Sequence, residues 1–202
     1  MNRSKTITVK PGIQGLIFDC DGTLADTMPL HLQAWCRTFE DYGLECPESL
    51  IYQLTGMPAE KIVDVYNRRF GAKLDAFRFG REKNRRAQAL LSEARPIRPV
   101  VAIAEAHRGK MPMAVASGGS RENVTTTLQA LGILDWFSAV ITSDEAVAPK
   151  PDPAIFIEAA RRLGVVPQKC QVFEDGDVGL EAARRAGMAA VDVRCCLASS
   201  RE

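Results

Sequence analysis

Two aspartates separated by a single residue form the first candidate site in this sequence. Asp19 and Asp21 follow a short apolar run that begins at Gly15, and a glycine comes directly after them. Two carboxylates in such a turn can both point into one crevice, where one can act as a nucleophile and the other can transfer a proton. Aspartate and glycine are also frequent in ordinary turns after strands. This motif alone therefore leaves both interpretations open.

Three later segments also follow apolar runs and carry residues suited to binding a phosphate or a metal. Ser117 and Gly118 precede a predicted helix, whose first backbone N–H groups favour an anion. Lys150 stands in a stiff loop bounded by prolines, and Glu174 with Asp175 forms a second acidic pair. Taken singly, these are also compatible with a helix-capping serine, a solvated lysine and a turn.

The elements that must position these residues alternate between strand and helix. Short apolar runs without a period of two are typical of strands buried on both faces of a parallel sheet. We therefore predict an α/β fold with a doubly wound, Rossmann-like sheet, in which ligands bind at the carboxyl ends of the strands. The predicted strands are 15–19, 113–117, 137–143, 170–174 and 189–193, and the predicted helices are 98–108, 120–131, 153–163 and 178–186.

One long segment, 28–95, has helical patterning and no convincing strand. Its residues Leu32, Trp35, Phe39 and Tyr42 fall on one face of a helix, as expected for burial against neighbouring helices. We predict that 28–95 is an all-helical cap domain, inserted into an α/β core domain made of 1–27 and 96–202.

Composition excludes several classes of protein. The 202 residues are 46% hydrophobic and 25% charged, which is typical of a globular domain. A net charge of +1 argues against nucleic-acid binding through a broad basic surface. No apolar run approaches the roughly 18 residues that span a membrane, and the first residues lack the apolar region of a signal peptide. We expect a cytoplasmic monomer that binds neither nucleic acid nor membrane.

The six cysteines do not form a recognisable metal or disulfide motif. They include the neighbours Cys195 and Cys196, they contain no CxxC pair, and only His31 and His107 are available as histidine partners. We expect reduced, mostly buried thiols, with a zinc site as the weaker alternative.

The order and spacing of the four motifs resemble the haloacid dehalogenase-like hydrolase superfamily across essentially the whole chain. The sequence is further similar to its β-phosphoglucomutase and sugar-phosphate phosphatase subfamily, which includes fructose-1-phosphatase-like enzymes and has a helical cap after the first strand. The matching segments are 18–24, 150–153 and 173–183.

The resemblance implies a role for each motif, and the chemistry of the residues agrees with it. Asp19 is the expected nucleophile, which forms an aspartyl-phosphate. Asp21 is the expected acid and base, which protonates the leaving alcohol and then activates water. Ser117, Gly118 and Lys150 are expected to bind the phosphate oxygens. Asp21 argues against dehalogenase chemistry, because a departing halide needs no proton.

A divalent cation is expected beside these carboxylates, because they would otherwise repel a phosphate dianion. Mg²⁺ suits a site of a few carboxylate oxygens that also holds phosphate and water. The expected ligands are Asp19, the backbone carbonyl of Asp21, and Asp175, with Glu174 assisting.

Three cap residues are expected near the substrate. His31 matches a histidine that mutases of this subfamily place near the acid/base, and Lys83 matches a cap lysine. Without the resemblance, the sequence favours a helix-surface or partly packed histidine at His31 and a solvated lysine at Lys83. Gly56 belongs to a cap loop that in mutases carries a phosphate-binding arginine a few residues later. Here 57–60 reads Met-Pro-Ala-Glu, and the arginine is absent.

The missing arginine favours hydrolysis over isomerisation, because a mutase must hold a bisphosphate by both ends. We therefore predict a Mg²⁺-dependent phosphatase that acts on small sugar phosphates, such as fructose 1-phosphate. A β-phosphoglucomutase-type phosphohexomutase is the alternative. A catalytically inactive binding protein is disfavoured, because Asp19, Asp21 and Lys150 are all present.

Overall fold

The computed structural model describes residues 7–145 and 147–197. The chain begins with two strands and a run of four helices, after which strands and helices alternate. In chain order the elements are β1 (Gly15–Phe18), β2 (Ala25–Asp26), α1 (Met28–Asp41), α2 (Glu48–Gln53), α3 (Ala59–Phe70), α4 (Ala76–Leu91), β3 (Arg95–Pro96), α5 (Arg98–His107), β4 (Met113–Ala116), α6 (Arg121–Ala130), β5 (Ala139–Ile141), α7 (Ala154–Leu163), β6 (Cys170–Glu174), α8 (Asp177–Arg185), β7 (Ala189–Asp192) and α9 (Arg194–Leu197).

Five of the strands form one parallel sheet in the order β5-β4-β1-β6-β7. Alternate side chains of β1 pack into two apolar layers, one on each face of the sheet. Leu16 and Phe18 face a layer that includes residues of α5 and α6, and Ile17 faces a layer built with α7 and α8. Because both faces are covered, β1, β4 and β6 are buried along their whole lengths. The predicted doubly wound parallel sheet is confirmed, and each predicted strand overlaps an observed one.

The helices α1 to α4 form a separate layer, the cap, with an apolar cluster of its own. Trp35, Phe39 and Phe79 are buried in this cluster, and Leu32 and Tyr42 pack against it. The helical face that the sequence predicts on α1 is therefore confirmed. The short helix α2 was not predicted.

A pair of two-residue strands joins the cap to the core. Ala25 pairs with Pro96 and Asp26 pairs with Arg95 in the antiparallel ladder of β2 and β3. The two connections between cap and core therefore run side by side. This ladder was not predicted, and Arg95, which the sequence analysis assigns to an all-helical segment, is one of its residues.

Within residues 7–145 and 147–197, no helix is both long enough and apolar enough to cross a membrane.

Candidate active site

The loop that follows β1 presents Asp19 and Asp21 at the carboxyl edge of the sheet. Gly22 closes this loop with a φ of +84°, a value that residues with side chains rarely adopt. A Cβ atom on Gly22 would also overlap with the carboxylate of Asp175, which follows β6. The glycine therefore allows the two acidic loops to approach each other closely.

A buried lysine connects the two loops. The Nζ atom of Lys150 lies 2.7 Å from Oδ1 of Asp19 and 2.7 Å from Oε2 of Glu174. Asp175 lies at the edge of this group and accepts a hydrogen bond of 2.9 Å from Oγ1 of Thr23. Lys150, Asp19 and Glu174 are all but inaccessible to solvent, so their charges depend on one another.

The cluster holds more acid than one ammonium group can balance. Burial raises the pKa of Asp19 well above its ordinary value, and the charge of Glu174 raises it further, although Lys150 opposes both. Burial and Glu174 likewise raise the pKa of Asp175 to about 7. Both shifts show that the carboxylate forms lack positive charge around them.

These acidic residues fit a divalent cation. Within the described ranges, Asp19, Glu174 and Asp175 are the one group of His, Cys, Asp and Glu side chains close enough to share a metal, with ligand atoms within 4.8 Å of one another. Carboxylate oxygens are the ligands that Mg²⁺ prefers, and an added cation would balance the surplus negative charge. No cysteine belongs to this group, so it gives no support to the zinc alternative.

Asp21 is held by hydrogen bonds from the cap side of the site. Its Oδ1 atom accepts from Oγ1 of Thr27 at 2.6 Å and lies 3.0 Å from Nε2 of His31. Burial alone would raise the pKa of Asp21, but His31 and Thr27 outweigh burial and bring it to about 2. In this arrangement Asp21 is a carboxylate.

His31 connects Asp21 to the cap lysine. Its Nδ1 atom lies 3.0 Å from Nζ of Lys83. Burial lowers the pKa of Lys83 to about 8, against the opposing charges of Asp21 and Glu60, so the amine is protonated at neutral pH. Burial and the charge of Lys83 lower the pKa of His31. A neutral His31 that accepts from Lys83 must carry its hydrogen on Nε2 and donate it to Asp21.

The cap is docked against the core. A Cβ atom on Gly118 would overlap with the carbonyl oxygen of Gly56, which places the cap loop directly on the loop after β4. A second contact joins α4 to α6, where Nε2 of Gln88 donates to Oε1 of Glu122 at 2.7 Å. The missing side chain of Gly118 therefore permits closure at this point.

The loop after β4 leads into the N-terminus of α6. Ser117 is buried, and its Oγ accepts a hydrogen bond of 3.0 Å from the backbone N–H of Gly119. Ser120 caps the helix through a hydrogen bond from the backbone N–H of Asn123. A hydroxyl and the N-terminus of a ten-residue helix thus lie together, as an anion site requires.

A cavity between cap and core brings most of the predicted site residues together. The predicted residues that line it are Asp19, Asp21, His31, Gly56, Lys83, Ser117 and Gly118. Lys150, Glu174 and Asp175 do not line it. Lys150 lies behind Asp19 and is bonded to the carboxylates of Asp19 and Glu174. Asp175 lines a neighbouring cavity together with Gly22.

Among the residues of the site that the sequence does not predict, four bear on its chemistry. Thr27 holds Asp21, and Trp35, Asn84 and Asn123 line the cavity. Trp35 was assigned only to the apolar face of a helix, although the Nζ atom of Lys83 lies 5.2 Å from the centre of its ring. Thr27 directly precedes α1, which is a signal for a helix cap, but no spacing rule indicates the two asparagines.

The sequence is similar to a known family of hydrolases. The sequence model of the haloacid dehalogenase-like hydrolases matches residues 13–187. The chain belongs to this family. Fructose-1-phosphate phosphatase YqaB of Escherichia coli (strain K12) is 39% identical over 180 residues, which are 89% of this chain and 96% of that protein. A phosphorylated carbohydrates phosphatase of Thermotoga maritima is 33% identical over 180 residues, 87% of this chain and 82% of that protein.

Solved structures of the haloacid dehalogenase-like hydrolases agree with this fold. β-Phosphoglucomutase from Clostridium difficile superposes with a TM-score of 0.77 at 25% identity, over 89% of this chain and 84% of that one. The family and its similarity to these two phosphatases make this haloacid dehalogenase-like hydrolase a phosphoric monoester hydrolase.

Proposed function

We propose that this hydrolase is a Mg²⁺-dependent phosphatase of small sugar phosphates, with fructose 1-phosphate as the first candidate substrate. The named relatives YqaB and the Thermotoga maritima phosphatase support this substrate class. The cavity supports it independently, because its lining combines the carboxylates of Asp19 and Asp21 with polar groups of the docked cap.

The first half of the reaction transfers the phosphoryl group to Asp19. A carboxylate oxygen of Asp19 attacks phosphorus, a bond forms between them, and the bond from phosphorus to the ester oxygen breaks. Asp21 donates its proton to that ester oxygen as the sugar leaves. A phosphate dianion beside Asp21 raises its pKa from the low value of the present arrangement, which favours the protonated form that this step needs.

The second half of the reaction releases inorganic phosphate. Asp21, now a carboxylate, removes a proton from a water molecule, and the water oxygen attacks the phosphorus of the aspartyl-phosphate. The bond between phosphorus and Asp19 breaks, and both aspartates return to their starting states. His31 keeps the Asp21 carboxyl oriented in both steps through its Nε2–H group.

Positive charge and hydrogen-bond donors for the phosphoryl group come from the core. Ser117 and the backbone of Gly118 supply donors at the head of α6, and Lys150 supplies positive charge from behind Asp19. Asp19, Glu174 and Asp175 would hold Mg²⁺, which neutralises charge on the phosphoryl oxygens.

The composition of the cavity wall is the observation that favours hydrolysis over isomerisation. Among the described residues that line the cavity, the cap contributes Lys83 and His31 as cationic or titratable groups and no arginine. Lys83 is already engaged by His31. The cap therefore offers no free guanidinium to anchor a second phosphate, which a bisphosphate intermediate needs.

The proposal is tested by a phosphate-release screen over hexose and pentose phosphates in the presence of Mg²⁺, with Asp19→Asn as the blank. We expect release from several sugar phosphates, including fructose 1-phosphate, and none with the variant. Absence of turnover of every sugar phosphate contradicts the proposal. Conversion of glucose 1-phosphate to glucose 6-phosphate faster than phosphate release, dependent on a bisphosphate activator, would instead identify a mutase.

A further inference from the structure

A carboxamide without a partner lies in the cavity wall. Asn123 stands in the first turn of α6, is 3% exposed and lines the cavity together with Asp21 and Lys83. Its backbone N–H bonds to Ser120, but its side chain makes no hydrogen bond to any residue in the described part of the chain. Because this side chain lines the cavity and bonds to no described residue, its donor and acceptor are available to a ligand there.

A second amide faces the same space from the cap. Asn84 and Gln88 are four residues apart on α4 and therefore share one face of that helix. Gln88 bonds to Glu122, the residue next to Asn123, so this face of α4 is turned towards the first turn of α6. Asn84 also lines the cavity. The docked cap thus places one carboxamide on each side of the cavity.

We propose that Asn123, with Asn84 opposite it, hydrogen-bonds the sugar hydroxyls of the substrate and selects polyhydroxylated phosphate esters. This inference rests on the proposed function and assigns its substrate selectivity to specific residues. A carboxamide both donates and accepts, as a hydroxyl does, whereas a phosphate dianion offers acceptors only. The donors for the phosphate are the Ser117 hydroxyl and the backbone N–H groups at the start of α6. The Asn123 amide and the amino group of Asn84, whose Oδ1 accepts from Nζ of Lys83 at 3.5 Å, remain for the alcohol part of the ester.

The test compares two substrates in Asn123→Leu, a variant of similar size that lacks hydrogen-bonding groups. Fructose 1-phosphate carries hydroxyls beside the ester, and para-nitrophenyl phosphate carries none. We expect kcat/KM for fructose 1-phosphate to fall about 10- to 100-fold, as for loss of a buried hydrogen bond. For para-nitrophenyl phosphate we expect a change below about threefold. Asn84→Leu should show the same selectivity with a smaller loss, because Asn84 is more exposed than Asn123.

Thr127→Val is the matched control. Thr127 lies one turn further along α6, is fully buried and does not line the cavity. This variant should leave the ratio of the two kcat/KM values unchanged, and thermal unfolding should show that all three variants are folded.

Other results of these experiments would overturn either the role of Asn123 or the proposed function. Equal losses for the two substrates in Asn123→Leu would assign Asn123 a structural role and overturn the inference. An unchanged kcat/KM for fructose 1-phosphate in Asn123→Leu would overturn it also, while the proposed function stands. A wild-type enzyme that hydrolyses para-nitrophenyl phosphate but no sugar phosphate would overturn the proposed function, and the inference with it.

Discussion

The Nζ atom of Lys83 lies 3.0 Å from Nδ1 of His31, and this contact determines which nitrogen of the imidazole carries the hydrogen. An ammonium group has donors only, so Nδ1 accepts and Nε2–H is directed at Asp21. Both residues belong to the cap, whereas Asp21 belongs to the core. The hydrogen bonds that orient Asp21, the proposed acid/base, are therefore complete only when the cap is docked.

Deprotonation of Lys83 should lower the activity of the enzyme at alkaline pH. Because burial brings the pKa of Lys83 to about 8, the amine is charged below this pH and loses its proton above it. Besides His31, the charges that face it are Asp21 and Glu60. We expect kcat/KM, which reports the free enzyme, to decrease above a pH near 8. In Lys83→Met, kcat/KM should be about 10- to 100-fold lower at pH 7 and the alkaline decrease should disappear.

The control for this pH profile is Lys61→Met, which removes an exposed cap lysine that pairs with Asp64. Its profile should coincide with that of the wild type. A Lys83→Met enzyme that retains the alkaline decrease would show that another group causes it.

The hydrogen bond from Thr27 should lower the pKa of Asp21 and hold its carboxylate in place. Thr27→Val keeps the shape of the side chain and removes the donor that lies 2.6 Å from Oδ1 of Asp21, so the pKa of Asp21 should rise. We expect kcat to fall about tenfold, because a misoriented acid/base transfers its proton less efficiently. Steady-state kinetics would measure the change. Thr38→Val is the matched control, since Thr38 on α1 donates to the backbone carbonyl of Ala34 and does not contact Asp21 within the described residues. Equal kinetics in the two variants would contradict the role given to Thr27.

Mg²⁺ should stabilise the fold more at high pH than at low pH. The pKa of Asp175 is about 7 in the folded chain and near 3.8 when unfolded, so the folded form binds more protons between these values. Without metal, stability therefore falls as the pH rises from about 4 to 7. A cation present at a hundred times its dissociation constant raises the free energy of unfolding by about 2.7 kcal/mol. This corresponds to roughly 5–10 °C in Tm for a chain of this size.

Differential scanning calorimetry at pH 5 and pH 8, with and without Mg²⁺, measures this effect. The shift in Tm should be larger at pH 8, where Asp175 has lost its proton. Asp175→Asn should abolish most of the shift and, in the absence of metal, raise the Tm at pH 8 above that of the wild type. An equal shift at the two pH values would contradict a site formed by Asp19, Glu174 and Asp175.

Gly118 should control closure of the cap. In Gly118→Ala the new methyl group overlaps with the carbonyl oxygen of Gly56, so the cap loop must move away. We expect kcat/KM to fall about 10- to 100-fold, because His31 and Lys83 retreat from Asp21 together with the cap. Small-angle X-ray scattering should detect a larger radius of gyration than in the wild type. An unchanged radius with full activity would show that the loops tolerate the methyl group.

The sequence predicts the sheet well because its strands are buried on both faces. Runs such as Leu16 to Phe18 have no polar positions, and the layers of helices on both sides require this. The ladder of β2 and β3 escapes prediction because two residues are too short for a periodic signal, and one of them is Pro96. Cytoplasmic residence, a monomeric state and the domain boundary at 28–95 stay predictions.

The site divides in the same way between predictable and unpredictable parts. Asp19, Ser117 and Lys150 follow strands and Glu174 ends one, so the topology of a parallel sheet brings their segments to one edge. Asn123 has no such signal, because its place in the cavity depends on how the cap docks on α6. The ion pairs of Lys150 with two carboxylates are also not predictable from the sequence, because they depend on burial and not on spacing.

The ladder of β2 and β3 also makes the helical segment exchangeable. Its two ends, Asp26 and Arg95, are paired neighbours, so the segment between them begins and ends at points roughly 5 Å apart. A different segment whose ends meet the same condition can replace it without changing the order of strands in the sheet. The cap side of the cavity can then change while the core keeps Asp19, Asp21 and the amide of Asn123 in place.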